Sequence, residues 1–387
     1  MLTASFGEPT VKESRDVLPL DSRRRSMSTG LLYFAGTSVV YAATFALLAS
    51  ADGWLARVAF ALVNGLVAGM MFIVGHDACH GSLTPSSKVN TWLARLAFLP
   101  SWHPSAAWEY SHNVLHHGWT NLRGKDPVYC PMTLEEYHAM PRWRQRVEQL
   151  YRSWPGMLPL YLGTIWWPLE MHPTGEHRRR IDKRKTYAFD RRLVGAFVLL
   201  QVLLLAALNA DDVSAGSLSL GAASAKVAFV IVAPFLVFAW LMAFATFQHH
   251  THPRVIWYAD EDEWTFYRSQ VEGTVHVVFP RWLEVLLHNI MEHTAHHIDT
   301  RVPLYHLNNA QRAVEDAFGP ERVITEQFSF AGMSRVFRVC QLYDYETHQW
   351  MSFDGLPMTE ARSLQAEARA RTLRPTQHLR IESVLVE

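Results

Sequence analysis

The sequence predicts an all-α integral membrane protein with four transmembrane helices, interfacial helices and a cytosolic helical cap that holds a metal centre. Three observations carry this expectation. Four runs, at 31–50, 58–75, 193–210 and 227–247, contain no Asp, Glu, Lys or Arg. Histidines gather in the sets His76/His80, His112/His116/His117 and His293/His296/His297, with His249, His250 and His252 as a further group. Positive charge is concentrated just before the first and third runs.

Composition narrows the classes. Of 387 residues, 49% are hydrophobic and 19% charged, with Lys+Arg and Asp+Glu balanced at 36 each. That balance argues against a nucleic-acid binder driven by phosphate contacts. The 14 Trp suit interfacial anchoring, because indole favours the membrane–water boundary. Cys79, Cys130 and Cys340 have no paired spacing, which argues against a disulfide framework and a thiolate metal site.

In chain order, residues 1–27 are polar, end near Arg23, Arg24 and Arg25, and read as a disordered cytosolic tail. The 20 residues of the first run reach across a bilayer at about 1.5 Å per residue. A short turn at 51–53 makes the first two spans a hairpin, and His76 stands one residue past the second. Residues 90–108 and 154–169, rich in Trp and broken by Pro, are too interrupted to cross and read as interfacial. Residues 121–149 are a polar loop with a helix, and 176–185 are a basic run, from His177 and Arg178 to Lys183, Arg184 and Lys185. By the positive-inside rule the basic segments belong in the cytosol. Both termini and every histidine set then fall on the cytosolic side. Residues 281–292 are amphipathic and are expected to lie along the membrane as one helix that delivers the third set. Residues 321–387 are expected to be a cytosolic segment with a charged helical tail.

Imidazole is a preferred ligand for borderline metals. His76/His80 at i, i+4 and His293/His296/His297 at i, i+3, i+4 each share a helix face. Eight histidines in three sets, with His250 or His249 as a ninth, are too many for one ion. Two metals is the natural count, and a pair of irons that activates dioxygen fits. His252 and His288 are possible additional ligands. Asp77, Glu109, Asp126 and Glu292 lie near the sets, where carboxylates can orient imidazoles. His103, His138, His172, His177, His276, His306, His348 and His378 stand apart and read as packed or surface residues.

The segments Gly75-His76-Asp77-Ala78-Cys79-His80, His112-Asn113-Val114-Leu115-His116-His117 and His293-Thr294-Ala295-His296-His297 resemble the three histidine boxes of the membrane fatty acid desaturases. Phe247-Gln248-His249-His250-Thr251-His252-Pro253 is similar to the Gln-His-Thr-His-Pro element of the acyl-lipid omega-6 (delta-12) branch. His288-Asn289-Ile290 and Val302-Pro303-Leu304-Tyr305 point the same way. The resemblance covers residues 30 to 320, within a domain set at 28–320. It implies four spans, a cytosolic di-iron site, O2 as co-substrate and desaturation of an acyl-lipid chain. It also implies that His76, His80, His112, His116, His117, His250, His293, His296 and His297 ligate iron, the extra His249 leaving the span-four ligand open between neighbours. Neither tail carries a His-Pro-Gly-Gly element, so electrons are expected from a separate ferredoxin or cytochrome. The competing readings are a di-iron hydroxylase or carotenoid oxygenase with the same boxes and a membrane metal carrier. The latter needs polar ligands within its spans.

Overall fold

The computed structural model describes residues 8–182 and 186–364. Lys183, Arg184 and Lys185, His378 and the expected charged tail lie outside the described residues. Four helices are long and apolar enough to span a membrane: Met27–Ser50, Trp54–Cys79, Tyr187–Leu208 and Leu220–His250. The chain is thus an integral membrane protein. Each helix overruns its apolar run. The runs mark only the hydrocarbon thickness of about 30 Å, while backbone hydrogen bonding continues into the polar zone. As a result His76, His249 and His250 lie inside helical segments rather than beyond them.

The second and fourth spans are the buried pair, and the first and third expose most of their surface to lipid. Gly65 permits the central crossing, because a Cβ there would stand 2.5 Å from Val237 Cβ. Close approach at a small residue is the usual way membrane helices gain packing. Gly53, at φ +76°, makes the tight turn between the first two spans. Connectivity then brings the starts of spans one and three and the ends of spans two and four to one membrane side.

On that side the chain builds the cap. The segment expected to lie at the interface forms helix Ser87–Ala97, a short turn at Leu99–Ser101 and helix Ser105–Trp108. A π-helix, Glu109–His116, continues from it and carries His112 and His116 of the second histidine set, with His117 at its C-cap. A second π-helix, Leu162–Met171, contains Pro168. The cap also holds strands that the sequence reading lacked. Val275–Val278 pairs in parallel with Ile324–Gln327, and Leu342–Asp344 pairs antiparallel with Gln349–Met351. Strands of three or four residues are too short to show a period.

Two expectations are corrected. Residues 8–26 are folded, not a loose tail. Helix Val11–Asp16 carries a Thr10/Glu13 capping box, and Leu18 is buried in the main core. Arg268 donates to Glu8 at 2.6 Å, and Arg23 donates to Asp299 at 2.7 Å. Polarity hid this because, besides Leu18, the segment is held by ion pairs to distant residues. The second correction concerns 281–292, where the helix covers only Arg281–Leu286. His288 and Asn289 then adopt φ of +51° and +57°, and Asn289 N–H closes back on Glu284 O at 2.8 Å. Such a left-handed cap ends a helix irrespective of the apolar pattern.

Candidate metal centre

Nine imidazoles converge where spans two and four meet the cap. They divide into His76, His80, His112, His117 and His296, and His116, His250, His293 and His297. Within each group one ligand atom per residue lies within 4.8 Å of every other. Local helix geometry makes the division. In the first box His76 and His80, four apart, enter the same group. In the second box the π-helix sends His112 and His117, five apart, to one group and His116 to the other. A π-helix bonds i to i+5, so residues five apart are stacked. Helix His293–Ile298 gives His293 and His297 to one group and His296 to the other. The groups are therefore interleaved.

The Nε2 atoms of His76 and His112, His117 and His112, His296 and His117, and His250 and His293 stand 2.9–3.1 Å apart. His80 Nε2 and His297 Nε2 are buried without a partner. Neutral imidazole has one donor nitrogen, so this many converging nitrogens cannot satisfy one another. Burial first, and neighbouring imidazoles after it, hold His80, His112, His117, His293, His296 and His297 well below the usual histidine range. Two imidazolium charges about 5 Å apart would repel by about 3 kcal/mol at an effective dielectric of 20. The donor set is convergent and unsatisfied, as metal ligands require. These clusters fit metal ions.

Several outer nitrogens are anchored. His76 Nδ1 lies 3.2 Å from Asp77 Oδ1, and His116 donates from Nδ1 to Asp126 Oδ1 at 3.0 Å. His297 donates from Nδ1 to Gln270 Oε1 at 2.6 Å. Gln270 is fully buried and also donates to His117 O at 3.1 Å. Sequence reasoning passed over it, because a lone Gln at the end of the five-residue helix Phe266–Gln270 has no periodic or motif signal. Glu109 is half-buried at the start of the second-box helix. Glu292 is buried, and its partners among the described residues are Asn308 and Arg281 rather than an imidazole of either group.

The three additional histidines lie outside both groups. His249 is buried and stacks on His293, with ring centroids 3.7 Å apart and planes at 16°. His252 donates from Nε2 to Glu326 at 3.0 Å, away from the centre. His288 Nε2 lies 3.3 Å from Thr37 Oγ1 and its ring meets Tyr33 edge-on. Of the isolated histidines, His103 is buried, with Nε2 2.8 Å from Tyr161 Oη.

Beside the four-histidine group lies a narrow cavity of about 40 Å³. Trp108, Val128, Tyr161, Ile165, Leu169 and Met242 form its apolar wall, and His116, His250 and His293 face it from the centre. The arrangement joins a nitrogen-rich centre to a hydrocarbon-lined pocket.

The comparisons agree with this architecture. A family model described as fatty acid desaturase matches residues 52–328. The chain is 30% identical over 319 residues to an sn-1 oleoyl-lipid 12-desaturase of Picosynechococcus sp., covering 80% of this chain and 82% of that protein. It is 28% identical to a chloroplastic omega-6 fatty acid desaturase of Brassica napus, over 84% of this chain and 68% of the relative. It is also 28% identical to an sn-1 acyl-lipid omega-3 desaturase (ferredoxin) of Synechocystis sp., over 80% and 81% of the two chains. With its four spans, its histidine clusters and a match over most of its length, the chain belongs to the fatty acid desaturase family and is a membrane fatty acyl desaturase.

Proposed function

We propose that this desaturase places a double bond at the delta-12 (omega-6) position of a monounsaturated acyl lipid, using O2 and two irons on the cytosolic face. The observation that carries the reading is the division of nine imidazoles into two groups that both reach a hydrocarbon-lined pocket, one through His112 and the other through His116, His250 and His293. His76, His80, His112, His117 and His296 would hold one iron, and His116, His250, His293 and His297 the other. Such an iron pair, when bound, supplies the O2-derived oxidant that removes hydrogen from an unactivated carbon. Asp77, Asp126 and Gln270 fix imidazole orientation, and the apolar wall aligns the chain and excludes water. The names of two relatives, an oleoyl-lipid 12-desaturase and an omega-6 desaturase, support the position, and the ferredoxin in a third supports a ferredoxin-type donor. The Arg-rich segment before span one supports the cytosolic orientation.

Expression in a host that makes only monounsaturated lipids, followed by fatty-acid profiling, tests the reading. A diunsaturated product with its new bond at carbon 12 is expected. A mainly hydroxylated product would overturn the proposed product, and a bond at another carbon would overturn the position.

A further inference from the structure

Glu170 is a fully buried carboxyl in the last turn of π-helix Leu162–Met171, outside both histidine groups. Its Oε1 makes a short contact with Ser111 Oγ, and its Oε2 has no partner. Ser111 belongs to the other π-helix, immediately before His112, and lines the apolar pocket with His112 and His116. The titratable groups facing Glu170 are the phenols of Tyr161 and Tyr187, and no basic side chain pairs with it among the described residues. Tyr187 Oη donates to the backbone oxygens of Glu170 and Met171, both at 3.0 Å, which fixes this turn.

An ionised carboxylate without a cation is costly in such surroundings. Burial pushes the Glu170 carboxyl up to about 8, against the opposing hydrogen bond from Ser111. The acid is therefore neutral at pH 7. Ser111 Oγ donates to Glu170 Oε1 and lies 3.3 Å from Trp108 O. When the acid's own O–H donates to Ser111 Oγ instead, the serine hydrogen is left to Trp108 O or to the pocket that Ser111 lines. Buried ionisable groups in membrane proteins, and π-helical turns in general, concentrate at functional sites.

We propose that Glu170 stores a proton for the reaction and passes it through the Ser111 hydroxyl into the pocket beside His112. The inference rests on the O2-dependent desaturation proposed above. In that reaction the acyl chain loses two hydrogens, a ferredoxin-type donor gives two electrons, and two protons are taken up as O2 becomes two waters. Glu170 supplies one of those protons. Its O–H bond breaks as Ser111 gains that hydrogen and releases its own to the pocket, and the carboxylate is reprotonated from solvent between turnovers. Glu170 is a positioning residue in this scheme, because it acts through Ser111.

Glu170→Gln in the full-length membrane protein separates proton storage from packing. Glutamine keeps the shape and a hydrogen bond to Ser111 but has no acid proton. The expected result is unchanged metal content with turnover lower by about tenfold or more. A larger share of the consumed O2 should then leave as hydrogen peroxide, with partial recovery in Glu170→Asp. Infrared titration supplies a readout independent of activity. A protonated-carboxyl band that fades as the pH passes about 8 should be present in the unaltered protein and absent in Glu170→Gln. Unchanged turnover and coupling in Glu170→Gln, loss of metal or fold in that variant, or no Glu170-dependent band would each overturn the proposal. The band is read without substrate or donor, so its failure is distinguishable from failure of the proposed reaction.

Discussion

Asp77 joins the first histidine box to the loop after the third. Its Oδ2 accepts the backbone N–H of Leu304, 227 residues away, at 2.5 Å, while Oδ1 faces His76 Nδ1 at 3.2 Å. Leu304 O in turn accepts from Asn289 Nδ2 at 3.1 Å. One buried carboxylate thus orients an imidazole and sets the seating of the segment around the third box.

Asp77→Ala should therefore injure metal binding as well as folding. Loss of an outer partner of a metal-binding imidazole costs about 10–100-fold in affinity or activity. The orphaned Leu304 N–H adds about 1–3 kcal/mol of destabilisation. Elemental analysis should find depletion at the five-histidine group, with Asp77→Asn intermediate. Full metal content and activity in Asp77→Ala would refute the role.

His250 and His249 should separate cleanly. His250 Nε2 faces His293 Nε2 at 2.9 Å, whereas His249 only stacks on the His293 ring. His250→Ala is expected to retain about one metal per chain and no desaturation, since the four-histidine group loses a ligand. His249→Gln should keep both metals with reduced activity. The reverse pattern would move the span-four ligand by one residue.

The amino-terminal segment should prove structural. Glu8 and Arg268 form a buried ion pair, and Arg15 donates to Ile298 O, at the end of the third-box helix, at 3.0 Å. Glu8→Ala leaves the Arg268 guanidinium buried without its carboxylate, a change that costs about 3–5 kcal/mol. Thermal unfolding in detergent should show a lower Tm and earlier metal release. An unchanged Tm would mean that this segment contributes nothing to the fold.

Acid sensitivity should include a contribution from His103. Burial depresses His103 to about 3, against the opposing hydrogen bond to Ser101 O. The folded protein keeps this imidazole neutral while the unfolded chain protonates it near 6.5. Between those values the unfolded state binds more protons, so stability falls as pH falls, by about 1.4 kcal/mol per pH unit for this group. Denaturant midpoints between pH 7 and 5 should drop less steeply in His103→Phe than in the unaltered chain. Parallel slopes would count against it.

Much of the centre was legible because its ligands are local patterns. His76/His80, His112/His116/His117 and His293/His296/His297 each sit within one or two helical turns, so spacing alone exposes them. Gln270 and Glu170 were not legible. Each is a single polar residue whose meaning comes from a contact with His297 or Ser111, 27 and 59 residues away. The same distance effect hid the folded amino-terminal segment, held by Arg268 and Asp299 from the far end of the chain.

By itself, the sequence determined that four apolar helices are long enough to cross a membrane, and it exposed three histidine boxes together with the pair His249 and His250 at the end of the fourth span. Hydrocarbon thickness and helical periodicity are local constraints, written in consecutive residues. Only the tertiary structure decided which imidazoles share a group, that His249 stacks beside His293, and which acids hold their neighbours in place. Those outcomes depend on π-helical stacking, left-handed caps at His288 and Asn289, and contacts between distant segments. No run of neighbouring residues encodes such relations, because their energies arise only when the spans and the cap are packed together.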